Sequence, residues 1–210
     1  ILAVSSNTGS IKIGEMISND KLYEYLTKFG IGVKTGSGLP GESRGILPKV
    51  ADWSGTTAPT VAFGQGYSVT AMQATSVFAT LANDGIRTSP TVIAGTSDAS
   101  GNYTPSATRE SVRVISSETA AQMRLMMENV VSANGTAPSA AIPGYRVAGK
   151  TGTAQRIDDT CGCYRGYTAS FIGLAPADNP AYVISVTIQD PKGLHWGGYL
   201  GGPVFKKVMS

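Results

Sequence analysis

The stretch GYRVAGKTGTAQ, residues 144–155, decides the fold, because it fits two motifs that occur in unrelated structures. From Gly144 to Thr151 it matches G-x-x-x-x-G-K-[ST], the phosphate-binding P-loop. From Lys150 to Gly152 it contains Lys-Thr-Gly, which can form one wall of a substrate cleft when it lies on a strand. The same lysine holds a nucleotide phosphate in the first case and attracts a substrate carboxylate in the second.

The residues around Lys150 favour a strand over a P-loop. A P-loop leads directly into a helix whose N-terminus binds the phosphates. Gly152 and the β-branched Thr153 occupy the positions of the first helical turn, and no apolar stripe with helical spacing follows them. Pro143 and Gly144 are typical of a turn that precedes a strand. A P-loop NTPase is therefore an alternative that the local sequence disfavours.

The composition is that of a folded globular chain. Of the 210 residues, 41% are hydrophobic and only 15% are charged. The formal net charge of +3 is spread along the chain without a basic cluster, so we expect no nucleic-acid partner. No apolar run reaches the roughly 18 residues that a membrane-spanning helix needs.

The two cysteines, Cys161 and Cys163, allow three interpretations. They could be free thiols, since nothing else in the sequence pairs with them. A disulfide between residues two apart is possible but geometrically tight. A metal site is disfavoured, because structural zinc sites supply four ligands at wider spacing. We predict no metal site and no cofactor.

Hydrophobic periodicity and capping signals predict helices in the first part of the chain and strands in the last part. The predicted helices cover residues 8–17, 19–29, 70–83 and 116–130, with one more that begins at Pro203. The predicted strands cover residues 145–157, 167–175 and 181–188. Loops are expected over residues 30–60 and 95–108. Short links between the strands favour an antiparallel meander, so we predict an α+β fold with an antiparallel sheet covered by helices.

A second short signature, S-x-N, lies at residues 5–7 and precedes the first predicted helix. An S-x-x-K pattern occurs at residues 18–21, where we expect Ser18 to cap a helix and not to act as a nucleophile. A second Lys-Thr-Gly occupies residues 34–36. It lies in a glycine-rich segment with no predicted strand, so we expect no catalytic role for it.

These motifs together resemble the C-terminal part of the transpeptidase domain of class B penicillin-binding proteins of the septal cell-division type. The resemblance covers residues 1–210 as part of one such domain. It rests on SSNTG (5–9), DKLYEYLTKFGIG (20–32), LPGESRGILP (39–48), FGQGYSVTAMQ (63–73), VAGKTGTAQ (147–155) and GGPVFKKVM (201–209). It implies the fold of penicillin-binding transpeptidases and serine β-lactamases, with the N-terminal part of the domain missing. The S-x-x-K that carries the nucleophilic serine is then expected upstream of Ile1.

The resemblance implies a peptidoglycan D,D-transpeptidase that cross-links stem peptides through a serine acyl-enzyme and is a target of β-lactams. The residues that it implies for catalysis are Ser5, Asn7, Lys150 and Thr153. Those that it implies for substrate binding are Thr151, Gly152, Thr153 and Trp196. His195 is a further candidate for the cleft wall, but it departs from the aromatic pair that the family tends to have there. Its role stays open, and a general base is the disfavoured alternative. A non-catalytic scaffold or β-lactam sensor of the same fold is the alternative.

The resemblance also implies a role for each catalytic residue. Ser5 relays a proton between the nucleophile's lysine and the leaving amine, and the Asn7 amide holds the substrate backbone. Lys150 supplies positive charge, the Thr151 and Thr153 hydroxyls bind the substrate carboxylate, and the Thr153 N–H forms half of the oxyanion hole.

The family further implies partners and a location. Division-machinery membrane proteins and the remainder of the same transpeptidase domain are the expected protein partners. The expected location is the extracytoplasmic face of the bacterial cell membrane, with an anchor in an N-terminal segment.

Overall fold

The computed structural model describes residues 1–158 and 160–210. Its helices are α1 (Asn7–Glu15), α2 (Asn19–Lys28), α3 (Thr57–Ala62), α4 (Ala71–Ala82), α5 (Ser117–Glu128) and α6 (Gly197–Met209). Its strands are β1 (Ile86–Thr88), β2 (Gly95–Ser97), β3 (Tyr103–Pro105), β4 (Ser111–Arg113), β5 (Ala148–Asp158), β6 (Cys163–Ala175) and β7 (Tyr182–Gln189).

The last three strands form an antiparallel meander in the order β5-β6-β7. Ala148 of β5 lies opposite Leu174 of β6, and Phe171 of β6 lies opposite Val186 of β7. Strand β5 is therefore an edge strand with one side free of strand pairing within the sheet. The predicted α+β fold is confirmed.

The sheet has an apolar cluster on each face. On one face, Phe171 and Phe205 of α6 pack edge to face with their ring centroids 5.0 Å apart, and both are fully buried. On the other face, Leu174 packs with Leu81 of α4 and Met127 of α5. Because the two clusters hold helices against opposite faces, the path of β5 is set by packing on both sides.

The prediction that Pro203 begins the last helix is wrong, because α6 starts at Gly197 and Pro203 lies inside it. Isolated glycines disfavour helix, so the preceding residues give no helical signal. Here glycine is needed for a close approach to the sheet: a Cβ at Gly201 would lie 2.8 Å from Phe171 Cβ. Tertiary packing therefore overrides local propensity in the first half of α6.

Short elements also interrupt both predicted loops. Helix α3 begins at Thr57, inside the segment that we expected to be a loop over residues 30–60. Residues 95–108 contain the exposed hairpin β2–β3, and β1 pairs with β4 in a second small sheet. These elements have three to six residues each, which is too short for a periodic pattern.

The link between β5 and β6 is shorter than predicted, because β5 extends to Asp158 and β6 starts at Cys163. A disulfide joins Cys161 and Cys163 at this tip. Of the three interpretations of these cysteines, the structure contains the tight disulfide.

Candidate active site

The S-x-N signature forms a tight turn at the start of α1. The Ser6 hydroxyl accepts a hydrogen bond from the Gly9 N–H at 3.1 Å, so Ser6 is the N-cap of the helix. Ser5 has a φ of 52°, a left-handed conformation that costs a residue with a side chain about 1–2 kcal/mol. Ser5 and Asn7 are both exposed and line the same cleft.

Lys150 joins this turn to the sheet. It lies on β5, and its Nζ donates to Ser5 Oγ at 2.6 Å, across 145 residues of sequence. It also donates to the Thr151 carbonyl oxygen at 3.1 Å and approaches Thr151 Oγ1 at 3.4 Å. Burial lowers the pKa of the Lys150 ammonium below its ordinary value, because desolvation penalises the charged form. The lysine is therefore closer to proton exchange near neutral pH than an exposed lysine.

The turn and the strand form two walls of a cleft of about 810 Å³. Beyond Ser5 and Asn7, five of the predicted site residues line this cleft. Four of them lie on β5 (Lys150, Thr151, Gly152 and Thr153), and Trp196 lies at the start of α6. His195 lies outside this lining. Its ring stacks on Tyr167 at 4.0 Å and contacts the Trp196 ring at 5.0 Å. The structure thus places His195 beside Trp196, which is 60% exposed and lines the cleft.

The N-terminus of α6 closes against β5 at the cleft. A Cβ at Gly197 would collide with the Gly152 and Ser170 carbonyl oxygens, and one at Gly198 would collide with the Thr136 carbonyl oxygen. Only glycine permits this approach. As a result the Gly197 N–H donates to Thr153 Oγ1 at 3.2 Å.

The free edge of β5 faces the cleft. The Gln65 side-chain amide pairs with the Gln155 backbone in both directions, as donor to the carbonyl oxygen and as acceptor from the N–H, each at 3.3 Å. The Gln155 backbone therefore points out of the sheet. Because outward and inward orientations alternate along an antiparallel strand, the Thr151 and Thr153 backbone groups point the same way. The register from Thr153 to Gln155 is regular, so this alternation holds there.

The cleft lining also contains polar residues that were not predicted individually, among them Gln65, Tyr67 and Thr136. Gln65 and Tyr67 lie in the FGQGYSVTAMQ segment, where the sequence carried the resemblance but no chemical signature. Burial raises the pKa of the Tyr67 phenol, so it stays a neutral hydroxyl. Thr136 matches no motif, and only its position next to Thr151 draws attention to it.

The two other motif copies have structural roles. Ser18 accepts a hydrogen bond from the Lys21 N–H at 3.2 Å and caps α2, which confirms the expectation of a cap. In the second Lys-Thr-Gly, the Thr35 N–H and hydroxyl both donate to the Glu42 carboxylate. That interaction, led by the Thr35 hydroxyl, lowers the pKa of Glu42. This copy therefore binds a carboxylate of its own chain.

The P-loop alternative fails on the backbone. Lys150 and Thr151 lie within β5, and no helix begins at them. Gly144 has a φ of 83° and lies in the turn before the strand. Without a helix N-terminus at Lys150, the stretch lacks the backbone N–H groups that bind the phosphates.

Two kinds of feature are absent from residues 1–158 and 160–210. No group of three or more His, Cys, Asp or Glu side chains there is arranged to hold a metal ion. Within the same described residues, no helix has the length and apolar character to cross a membrane.

The chain is similar to known proteins over its whole length. The family model described as the penicillin-binding protein transpeptidase domain matches residues 1–210. The chain belongs to this family. The relatives that the chain matches confirm the predicted resemblance to class B penicillin-binding proteins.

The penicillin-binding protein PbpB of Mycolicibacterium smegmatis is 41% identical to this chain over 220 residues. The match covers 100% of this chain and 34% of PbpB. The peptidoglycan D,D-transpeptidase FtsI of Escherichia coli is 33% identical over 211 residues, again covering 100% of this chain and 34% of the relative. The chain thus spans about a third of the length of these curated relatives.

The solved structures give the same family. Penicillin-binding protein 3 of Mycobacterium tuberculosis, complexed with aztreonam, has a TM-score of 0.93 and 40% identity, and the match covers 99% of this chain and 48% of that chain. The transpeptidase domain of Burkholderia pseudomallei penicillin-binding protein 3 has a TM-score of 0.83 and 34% identity, covering 97% of this chain and 60% of that chain.

Proposed function

We propose that this chain is the C-terminal part of a transpeptidase domain that cross-links peptidoglycan through a serine acyl-enzyme. The observation that carries the proposal is the contact of Lys150 Nζ with Ser5 Oγ at 2.6 Å. A lysine and a hydroxyl at this distance can pass a proton, and the positive charge favours a substrate that ends in a carboxylate. Membership of the transpeptidase family supports this assignment.

The nucleophile in this proposal is a serine of an S-x-x-K segment outside these 210 residues. Its oxygen attacks the carbonyl carbon of the D-Ala-D-Ala bond, the C–N bond breaks, and the departing D-Ala amine takes up the proton that the serine loses. Ser5 relays this proton while Lys150 holds the hydroxyl in position. An acceptor amine from a neighbouring strand then attacks the ester carbonyl and forms the new peptide bond. The C–O bond to the serine breaks, and the proton that the amine loses returns to the serine oxygen.

Strand β5 binds the peptide in this proposal. The Thr153 hydroxyl accepts from the Gly197 N–H at 3.2 Å, so its own hydrogen is available to a substrate carboxylate. The Thr153 N–H points out of the strand edge, which is the orientation that oxyanion binding needs. Gly152 leaves the wall between the two threonines free of a side chain. Asn7 holds the substrate backbone, and Trp196 lies over the open side.

β-Lactams suit the same cleft in this proposal, because they carry an anionic group, a carboxylate or a sulfonate, beside a strained, reactive carbonyl. The relative from Mycobacterium tuberculosis was solved in complex with aztreonam and with ampicillin. We therefore propose that β-lactams acylate the same serine. For His195, whose ring stacks on Tyr167 and lies beside Trp196, we propose support of the cleft wall and no role as a general base.

We also propose the location and partners. Stem peptides lie outside the cytoplasmic membrane, so the domain belongs on the extracytoplasmic face of the cell membrane, with an anchor in an N-terminal segment. Division-machinery membrane proteins are the proposed partners, together with the remainder of the transpeptidase domain.

The test uses the full-length protein, a fluorescent penicillin, and a thioester analogue of D-Ala-D-Ala. We expect covalent labelling that excess benzylpenicillin blocks, together with turnover of the thioester. Lys150→Ala should lower the acylation rate by roughly 100-fold or more, the size of effect seen when one electrostatic contact to the reacting group is lost. Lys192→Ala is the matched control, because Lys192 is 87% exposed.

Each outcome separates one alternative. A folded wild-type protein that takes no label would overturn the penicillin-binding assignment. Labelling without any turnover would favour the scaffold or β-lactam sensor. Equal rates for the Lys150 and Lys192 variants would remove Lys150 from the mechanism and leave the fold assignment intact.

A further inference from the structure

Thr136 is the point where three separate segments of the cleft meet. Its N–H donates to the Ala3 carbonyl oxygen at 3.0 Å, two residues before Ser5. Its hydroxyl lies 3.1 Å from Thr151 Oγ1 on β5. Its carbonyl oxygen packs so closely against Gly198 of α6 that no side chain fits there. One residue thus contacts both walls and the helix that closes the cleft.

The chain around Thr136 is held from the other side by the end of α5. The Ala137 N–H donates to the Val130 carbonyl oxygen at 2.9 Å, and Ala137 is fully buried. A Cβ at Gly135 would collide with the same Val130 carbonyl oxygen, so the loop lies directly against the helix end. Thr136 is therefore anchored independently of the substrate, while its half-buried side chain reaches the cleft.

The hydrogen bonds of Thr151 give this anchor a chemical consequence. A hydroxyl can accept two hydrogen bonds and donate one. Lys150 Nζ, which can only donate, approaches Thr151 Oγ1 at 3.4 Å, and the Thr136 hydroxyl lies 3.1 Å away on the same oxygen. If Thr136 donates to Thr151, the Thr151 hydrogen is left for a third partner in the cleft. An anionic partner favours this arrangement, because hydrogen bonds to ionised acceptors are about twice as strong as neutral ones.

We propose that Thr136 is a positioning residue for substrate carboxylate recognition, which turns the Thr151 hydroxyl into a donor toward the anion. The inference rests on the proposed transpeptidase function and adds a residue that belongs to none of its motifs. In this proposal Thr136 acts through the Thr151 hydroxyl, which donates to the carboxylate. Its effect is therefore specific to ligands that carry the carboxylate.

The test compares acylation of the full-length protein by benzylpenicillin and by its methyl ester, which lacks the anionic group. Thr136→Val keeps the shape and removes the hydroxyl. We expect this variant to slow acylation by benzylpenicillin roughly 3- to 10-fold, the range for one hydrogen bond, and to leave the rate with the ester unchanged. Thr136→Ser should restore the preference for the acid. Thr104→Val, in the exposed hairpin β2–β3, is the matched control.

A double-mutant cycle adds an independent readout. In a Thr151→Val background, Thr136→Val should cause no further loss of the preference for the acid, because the group that it positions is gone. If the valine variant does not fold, Thr136→Ala, which removes the same hydroxyl without new atoms, repeats the comparison.

The outcomes distinguish the inference from the function beneath it. Wild-type protein that reacts with neither compound overturns the proposed function. Wild-type protein that reacts normally, with variants that lose both rates equally, shows that Thr136 only supports the structure and overturns the inference. Unchanged rates in the Thr136 variants overturn it as well.

Discussion

Gly152 lies where a side chain on β5 would collide with a single atom of β6. A Cβ built at Gly152 falls well inside the 3.4 Å at which ordinary contacts begin, and the atom that it meets is Ser170 Oγ. Ser170 Cβ would be 3.8 Å away, an ordinary contact. Gly152 and Ser170 are cross-strand partners in a continuous ladder, so the strands cannot separate locally. The collision therefore depends on one hydroxyl oxygen.

This geometry sets the size of the effect. In Gly152→Ala we expect the Ser170 hydroxyl to be forced from its present rotamer, at a cost of about 0.5–1.5 kcal/mol in the free energy of unfolding. Gly197→Ala is the matched comparison, because its Cβ would meet the carbonyl oxygens of Gly152 and Ser170. No rotamer change moves those atoms, so overpacking should cost about 3 kcal/mol, the upper end of the usual range.

The assay is equilibrium or thermal unfolding of the full-length protein with five variants. Three are the single substitutions Gly152→Ala, Ser170→Ala and Gly197→Ala, and two are combinations, first Gly152→Ala with Ser170→Ala and second Gly197→Ala with Ser170→Ala. The first combination should match Ser170→Ala alone to within about 0.5 kcal/mol, since the colliding atom is gone. The second combination should keep the full loss of Gly197→Ala. Fluorescent penicillin labelling would show whether the cleft survives in each variant.

Two results would refute this reasoning. If Gly152→Ala loses the same stability with and without the Ser170 hydroxyl, its side chain collides with something other than that oxygen. If Gly197→Ala is as stable as wild type, α6 does not approach β5 as closely as the structure shows.

Three other variants test local features. Lys150→Arg should move the alkaline limit of the acylation rate to higher pH. Burial lowers the pKa of Lys150, so its charge is lost at a lower pH than that of an exposed lysine, whereas arginine stays charged. If the alkaline limit in the pH–rate profile does not move, it belongs to another group. Glu42→Gln should lower the melting temperature at pH 7, and the difference from wild type should vanish in acid. The contact with Thr35 lowers the pKa of Glu42, so it stabilises the fold above that pKa and is lost as pH falls through it. A difference in melting temperature that stays constant at all pH values would contradict this. Thr70→Ala should cost about 1 kcal/mol in urea unfolding, because Thr70 and Gln73 form a capping box at α4, and Thr70→Ser should recover it.

Local signals predicted the elements that are long or capped. Thr70 and Gln73 mark the start of α4, and Ser18 marks the start of α2, because a cap is a contact within four residues. The three strands of the meander were identified from their apolar runs and turns, and only their ends shifted. Such features depend on neighbours in the sequence, so a sequence contains enough information to find them.

Elements that depend on distant contacts were missed or misplaced. Helix α3 has six residues and gives no periodic signal. Helix α6 starts at Gly197 because glycine lets it lie against Phe171, a contact that local propensity does not contain. Thr136 belongs to no motif, and its importance comes from the Ala3 and Thr151 atoms that the fold brings beside it.

The sequence by itself determined the family, the α+β fold and which Lys-Thr-Gly lies on a strand, because these depend on motifs and on periodicity along the chain. Only the tertiary structure decided which groups lie beside GKTGT at residues 149–153 in the cleft. The contact between Lys150 and Ser5 joins residues 145 positions apart, and it depends on how the strand edge, the S-x-N turn and α6 pack together. That packing sets the burial that lowers the pKa of Lys150, and it places Thr151 and Thr153 along the cleft. Proton transfer and carboxylate binding need distances of about 3 Å, and sequence spacing does not specify distances between segments.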